Sequence, residues 1–264
     1  MSLLEGLRFT KGDSPLHRMD PRIKFIMTMT LFALSIIFFD LIPLMVIFFL
    51  QIPIIIYGRI WREWLKSLKG GAVLAVIIFA TNLLSFYFFQ GGHLTGDMIE
   101  YSLSLTIRFL SLITSFSLFF LTTSPDKLSL ALEKAKIPYE FNFAFITAIR
   151  FVPVLAEEAQ TIMDAQRSRG LELDKGGFFT RIRKYVPILL PLIINSIRRS
   201  LELAEAMESR AFGATKERTN LYTLEMTSLD YFILAITLAV LIVSLYARFF
   251  LPPFPKLLSG ILLI

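Results

Sequence analysis

Three stretches of this chain, residues 71–89, 101–122 and 229–250, are each about as long and apolar as a helix must be to cross a bilayer, which takes roughly 20 mostly apolar residues. A further apolar run, 25–57, is too long for one such helix: at 1.5 Å per residue it would extend about 50 Å, against a hydrocarbon core of about 30 Å. Asp40 lies near its middle and Pro43 follows, so the run reads as a tight hairpin of two short spans, giving five in all. Composition agrees. Only 18% of residues are charged while 55% are hydrophobic, against about 25% charged in a soluble domain. Of the 48 charged side chains, 29 fall between residues 122 and 230. That pattern excludes a disordered chain, a secreted disulfide scaffold and an ordinary cytosolic enzyme. Without cysteine there is no thiolate nucleophile and no Cys-based metal site. The net charge of +6 fits cationic loops of a membrane protein, with no nucleic-acid partner.

Lysine and arginine set the orientation. Arg8, Lys11, Arg18, Arg22 and Lys24 precede the first span, and Arg59, Arg62, Lys66 and Lys69 fill the second connection. The hairpin tip at Asp40 and the loop 90–100 carry none. The N-terminus and the charged middle are therefore expected in the cytoplasm of a multi-pass cell-membrane protein, with Arg248 and Lys256 a mild departure beyond the last span. The first twenty or so residues are polar and lack the short apolar core of a cleaved signal peptide. The expected division is 1–122 for a membrane region of about four spans, 123–228 for cytoplasmic helices, and 229–264 for a last span and tail.

The middle region is helical by pattern, so the fold class is all-α. Ser124, Pro125 and Asp126 form a helix start, with a cap, a first-position proline and a first-turn acid, and Pro138 closes that short helix. Residues 139–170 form a second helical stretch, which Pro153 should bend or split and Gly170 should end. There Glu157 and Glu158 read as a solvated face. A third stretch, 178–211, contains an apolar block too short to span, 186–197, flanked by Arg181, Arg183, Lys184, Arg198 and Arg199. Such flanks suit an interfacial helix under lipid headgroups. Ile194, Ile197, Leu201, Ala204 and Met207 continue an apolar stripe. Gly70-Gly71 and Gly176-Gly177 read as turns.

The two longer stretches end alike. Asp164-Ala165-Gln166-Arg167-Ser168-Arg169-Gly170-Leu171 and Glu205-Ala206-Met207-Glu208-Ser209-Arg210-Ala211-Phe212 both read acid, Ala, two residues, Ser, Arg, small, apolar, 41 residues apart. Each puts an arginine in a last helical turn, where the helix dipole favours a cation. One arginine before a small residue is ordinary capping; a matched pair asks for a shared reason.

These paired motifs resemble the two Ala-Arg-Gly-type signatures of the transmembrane T component of energy-coupling factor (ECF) transporters, vitamin and metal importers of the ATP-binding-cassette class. Ser168 and Ser209 stand where that family usually has alanine, and Ala211 where it has glycine. The resemblance implies long cytoplasmic coupling helices that cross each other, with Arg169 and Arg210 and their neighbours Ser168, Gly170, Ser209 and Ala211 entering grooves on two partner ATPase subunits. It implies no catalysis by this chain, ATP bound by those partners, and a bilayer-embedded S component that captures the cargo. Ile194, Ile197, Leu201 and Arg108 are the residues it offers for S-component contact.

Arg108, inside a span, otherwise snorkels outward or pairs with Asp97 or Glu100. Asn82 should make an interhelical hydrogen bond. His17 and His93 are separated by the membrane, which disfavours a shared metal site, and no phosphate-binding loop occurs. A conventional ABC permease with its own substrate path is the competing reading; it calls for polar groups converging within several spans, where Arg108 and Asn82 stand nearly alone. A membrane-embedded enzyme would need acids or histidines clustered at one face, and the sequence offers no such cluster.

Overall fold

The computed structural model describes residues 14–89, 95–172, 177–214, 224, 226–250, 252, 255 and 257. Arg8, Lys11, His93, Lys256, residues 90–94 of the loop 90–100, and Gly176 of its glycine pair lie outside them. The described elements are all helices: α1 (Pro15–Arg18), α2 (Pro21–Ile37), α3 (Leu41–Tyr57), α4 (Trp61–Phe89), α5 (Gly96–Thr122), α6 (Pro125–Lys134), α7 (Tyr139–Ser168), α8 (Phe178–Glu208) and α9 (Ser228–Phe250). They fall into two compact units, one of Met1–Ala131 with Leu224–Ile264, the other of Leu132–Thr223.

In the first unit the long apolar run is a hairpin, as its length demands. Phe38 leaves α2 in an extended conformation and Asp40 stands at the N-cap position of α3 without a side-chain capping bond. Each arm has 17 residues, about 25 Å of helix. Helices α4, α5 and α9 are long and apolar enough to span, matching three expected crossings. So, by length and composition, is α7. Its apolar first half accounts for that; Glu157, Glu158, Asp164 and Arg167 occupy the second half, making it amphipathic along its length.

Gly70-Gly71 is not a turn. Helix α4 runs straight through it, so Arg62, Lys66 and Lys69 belong to a helix rather than a loop. The reason is packing against α5: a Cβ on Gly71 would meet the Ile113 Cδ1 atom at 2.5 Å, whereas Gly70 has open space. Helix α5 is the hub, packed on α2, α3 and α4. Its buried face is built from Ser102, Ser104, Ser111, Thr114, Ser115 and Thr122. Small hydroxyl residues let helices approach closely in an apolar solvent. Ser102, Ser104, Thr114, Ser115 and Thr122 donate to carbonyls four residues back. Two are also acceptors for neighbouring helices, Ser115 from Gln51 (3.1 Å) and Thr114 from the Trp64 indole (3.2 Å). Asn82 does not cross between helices; its amide donates to the Ile78 carbonyl of its own helix at 2.7 Å.

In the second unit Pro153 does not split its helix. Helix α7 is continuous from Tyr139 to Ser168, and α8 likewise passes through Pro187 and Pro191. A proline removes one donor, and the turns on either side, together with the α7–α8 pairing, hold the helix together. In the first unit the expected Ser124 cap is present, its Oγ accepting from the Lys127 amide at 3.4 Å.

Candidate functional site

The repeat in the sequence is a repeat in space. At the end of α7 the Leu171 amide donates to the Gln166 carbonyl and the Gly170 amide to that of Arg167. After α8 the Phe212 amide donates to Met207 and the Ala211 amide to Glu208, the same bonds 41 residues on. Both are Schellman closures, which require a left-handed residue after the last turn. Gly170 (φ +88°) and Ala211 (φ +57°) provide it. The small residue in each motif therefore sets backbone conformation. Alanine there costs roughly 1–2 kcal/mol relative to its preferred conformation, so the second turn is held under strain that glycine would relieve. Ser168 and Ser209 bond backward to the Asp164 and Ala206 carbonyls, both at 3.0 Å. Arg169 and Arg210 are left exposed on equivalent turns, and among the described residues no side chain of this protein engages either guanidinium.

Helices α7 and α8 run antiparallel, so these turns sit at opposite ends of one helical pair. Near the Arg169 end the Gln166 amide donates to the Pro187 carbonyl (3.4 Å), and Lys184 Nζ to the Glu172 carbonyl (2.6 Å). At the Arg210 end Phe212 packs on Tyr139 and Phe143, with ring centroids 6.1 and 5.2 Å away. From this register the two arginines lie roughly 35–40 Å apart along the pair, by helical rise.

A charge clamp that sequence reasoning missed joins the middle of the pair. Glu158 accepts from Asn195 Nδ2 at 2.6 Å and from Arg199 Nη2 at 3.0 Å, and the Arg199 guanidinium stands 6.0 Å from the Phe151 ring. Their side chains are 18% (Glu158) and 32% (Arg199) exposed, so Glu158 belongs to the helix contact and Arg199 is turned toward α7. The only sequence signal was an acid and a base on helices whose antiparallel register was unknown. Ile194, Ile197 and Leu201 are exposed on α8 together with Leu189, Leu190 and Ile193, an apolar surface larger than scattered exposed residues explain.

Arg108 lies in the other unit, where it serves the fold. Its Nη2 donates to the Phe38 carbonyl at 2.6 Å and its guanidinium lies 4.5 Å from the Phe39 ring centre, fastening the end of α2. It thus reaches the hairpin tip; of the two expected outcomes, outward snorkelling or pairing with Asp97 or Glu100, the pairing is not made. Near the start of α2, Arg22 pairs with Asp20 at 3.0 Å, and that hydrogen bond raises the guanidinium further above its ordinary value.

Apolar helices of spanning length, together with a helix pair that ends in matched arginine turns, define a multi-pass all-α membrane protein. The cobalt transport protein family (CbiQ) matches residues 12–222. The energy-coupling factor transporter transmembrane protein EcfT of Thermosediminibacter oceani is 31% identical over 258 residues, covering 92% of this chain and 97% of that one. The EcfT proteins of Heliobacterium modesticaldum (34% identity; 86% and 90% covered) and Thermotoga maritima (31%; 92% and 93%) are similar throughout. The chain belongs to this family of energy-coupling factor transporter transmembrane components.

Proposed function

We propose that the chain is the non-catalytic scaffold of an ECF-type importer, coupling ATP binding and hydrolysis by two partner ATPases to reorientation of an S component that carries a vitamin or metal ion. The observation that carries this is the pair of matched arginine turns at opposite ends of one antiparallel helix pair. An arginine fork makes several charge-assisted bonds to carboxylates or carbonyls, and two forks this far apart suit two separate subunits better than one groove. Ser168, Gly170, Ser209 and Ala211 hold those forks at the surface. The exposed Ile194, Ile197 and Leu201 face suits the apolar S component. ATP belongs to the partners in this reading, and the basic N-terminal segment and the helix pair face the cytoplasm.

Purification of the tagged chain in mild detergent, with mass spectrometry of associated chains, tests the reading. Two ATPase subunits and one small integral membrane protein are expected for each copy. A homodimer of this chain with ATPases and no separate capture protein would contradict it in favour of a permease.

A further inference from the structure

The chain crosses between its two units twice, after Ala131 and before Leu224. Beside each crossing it is fastened to the same N-terminal segment. On the outgoing side, Lys24 Nζ donates to the carbonyl of Thr122, the last residue of α5, at 2.9 Å, and Lys127 Nζ in α6 donates to the His17 carbonyl at 2.7 Å. On the returning side, the Asp20 amide donates to Asp230 Oδ1 at 3.2 Å, while Asp230 Oδ2 accepts from the Thr227 amide and hydroxyl at 2.9 and 2.8 Å. Lys24 is 1% exposed and Asp230 2%.

Charges that deeply buried are costly, and an apolar residue would fill the space at less expense. Their placement matches helix poles. Lys24 meets the negative, donor-hungry end of α5, and Asp230 sits in the first turn of α9, at its positive end. One segment therefore grips the exit end of α5 and the entry end of α9, the two spans that flank the helix pair in the chain.

We propose that residues 14–24 form a clasp that makes α5 and α9 move as one body when the helix pair is displaced, with Lys24 and Asp230 as its positioning residues. This rests on the coupling role proposed above. Without the clasp, displacement of the helix pair would pull on two independent helices, and part of the motion would be lost in spreading them.

This chain has no cysteine, so with cysteine-free ATPases the labels go only to the chosen positions. Spin labels are attached through Tyr101→Cys on α5, Tyr246→Cys on α9 and Ala204→Cys on α8, in pairs, in the full assembly with its ATPases. All three positions are exposed. With the clasp intact, ATP plus vanadate should shift the distances from 204 to 101 and to 246, and leave the 101–246 distance unchanged. In Lys24→Met or Asp230→Ala the 101–246 distance should shift on adding nucleotide by about 2–5 Å, the scale of helix shifts in switching proteins. Asp230→Asn keeps the acceptor for Asp20 and should show a smaller shift; it carries the test if the harsher variants do not assemble. A 101–246 distance that responds equally with and without the clasp overturns the proposal, as does a broadening already complete without nucleotide, which would mark a purely structural tether. If label 204 does not move with nucleotide in the intact assembly, the coupling role itself falls and takes the clasp with it.

Discussion

Replacing both Arg169 and Arg210 by alanine is expected to strip both ATPases from the assembly. Among the described residues no side chain holds either guanidinium, and each turn is closed by its own backbone hydrogen bonds, so either change removes a contact without unfolding the turn. Truncating one member of a desolvated interfacial pair costs about 2–5 kcal/mol. The two sites lie at opposite ends of the helix pair and share no partner among the described residues, so their losses should add. Each single variant should retain about one ATPase and lose most uptake, and the double variant should weaken association by about a thousandfold or more. Lysine should not rescue, because it lacks the planar fork. Quantitative pull-down of the ATPases against the unmodified chain checks this; full occupancy in the double variant would contradict it.

The second large effect is expected at Glu158. Glu158→Ala leaves Arg199 half-buried at the helix contact without its carboxylate, and Arg199 Nη1 already has no hydrogen-bond partner among the described residues. The cost lies between that of an exposed pair and a fully buried one, about 2 kcal/mol. Amide exchange in the middle turns of α7 and α8 should accelerate by about thirtyfold, the factor that free energy implies when the contact limits opening. The reciprocal exchange Glu158→Arg with Arg199→Glu should recover most of the protection, since the pair is reversed but present. Unchanged exchange in Glu158→Ala would show that the clamp does not hold the helices together.

What could be read from the sequence follows from what each signal depends on. The 25–57 hairpin was legible because length against bilayer thickness leaves no other solution, and the Ser124 start because capping is local chemistry. The matched turns were legible as a repeat, but the meaning of their small residues was not. Gly170 and Ala211 serve a left-handed backbone, which only the closing hydrogen bonds reveal. Gly71 was misread because a glycine that permits close approach and one that permits a turn look identical until the neighbour, Ile113, is known. Arg108, Glu158 and Lys24 share a different obstacle. Their partners are Phe38, Asn195 with Arg199, and Thr122, all distant in sequence, and each pairing depends on helix register. Polar residues in α5 were likewise turned inward, onto their own backbone and onto Gln51 and Trp64.

The central claim is that the two arginine turns dock separately on two motor subunits. A photo-reactive amino acid placed at position 169 or at position 210 in the assembled complex tests it most directly. Each position is expected to yield one cross-linked ATPase per chain, and the two together should capture two ATPases on a single chain. Cross-links that reach only lipid or a second copy of this chain, from both positions, would contradict the account.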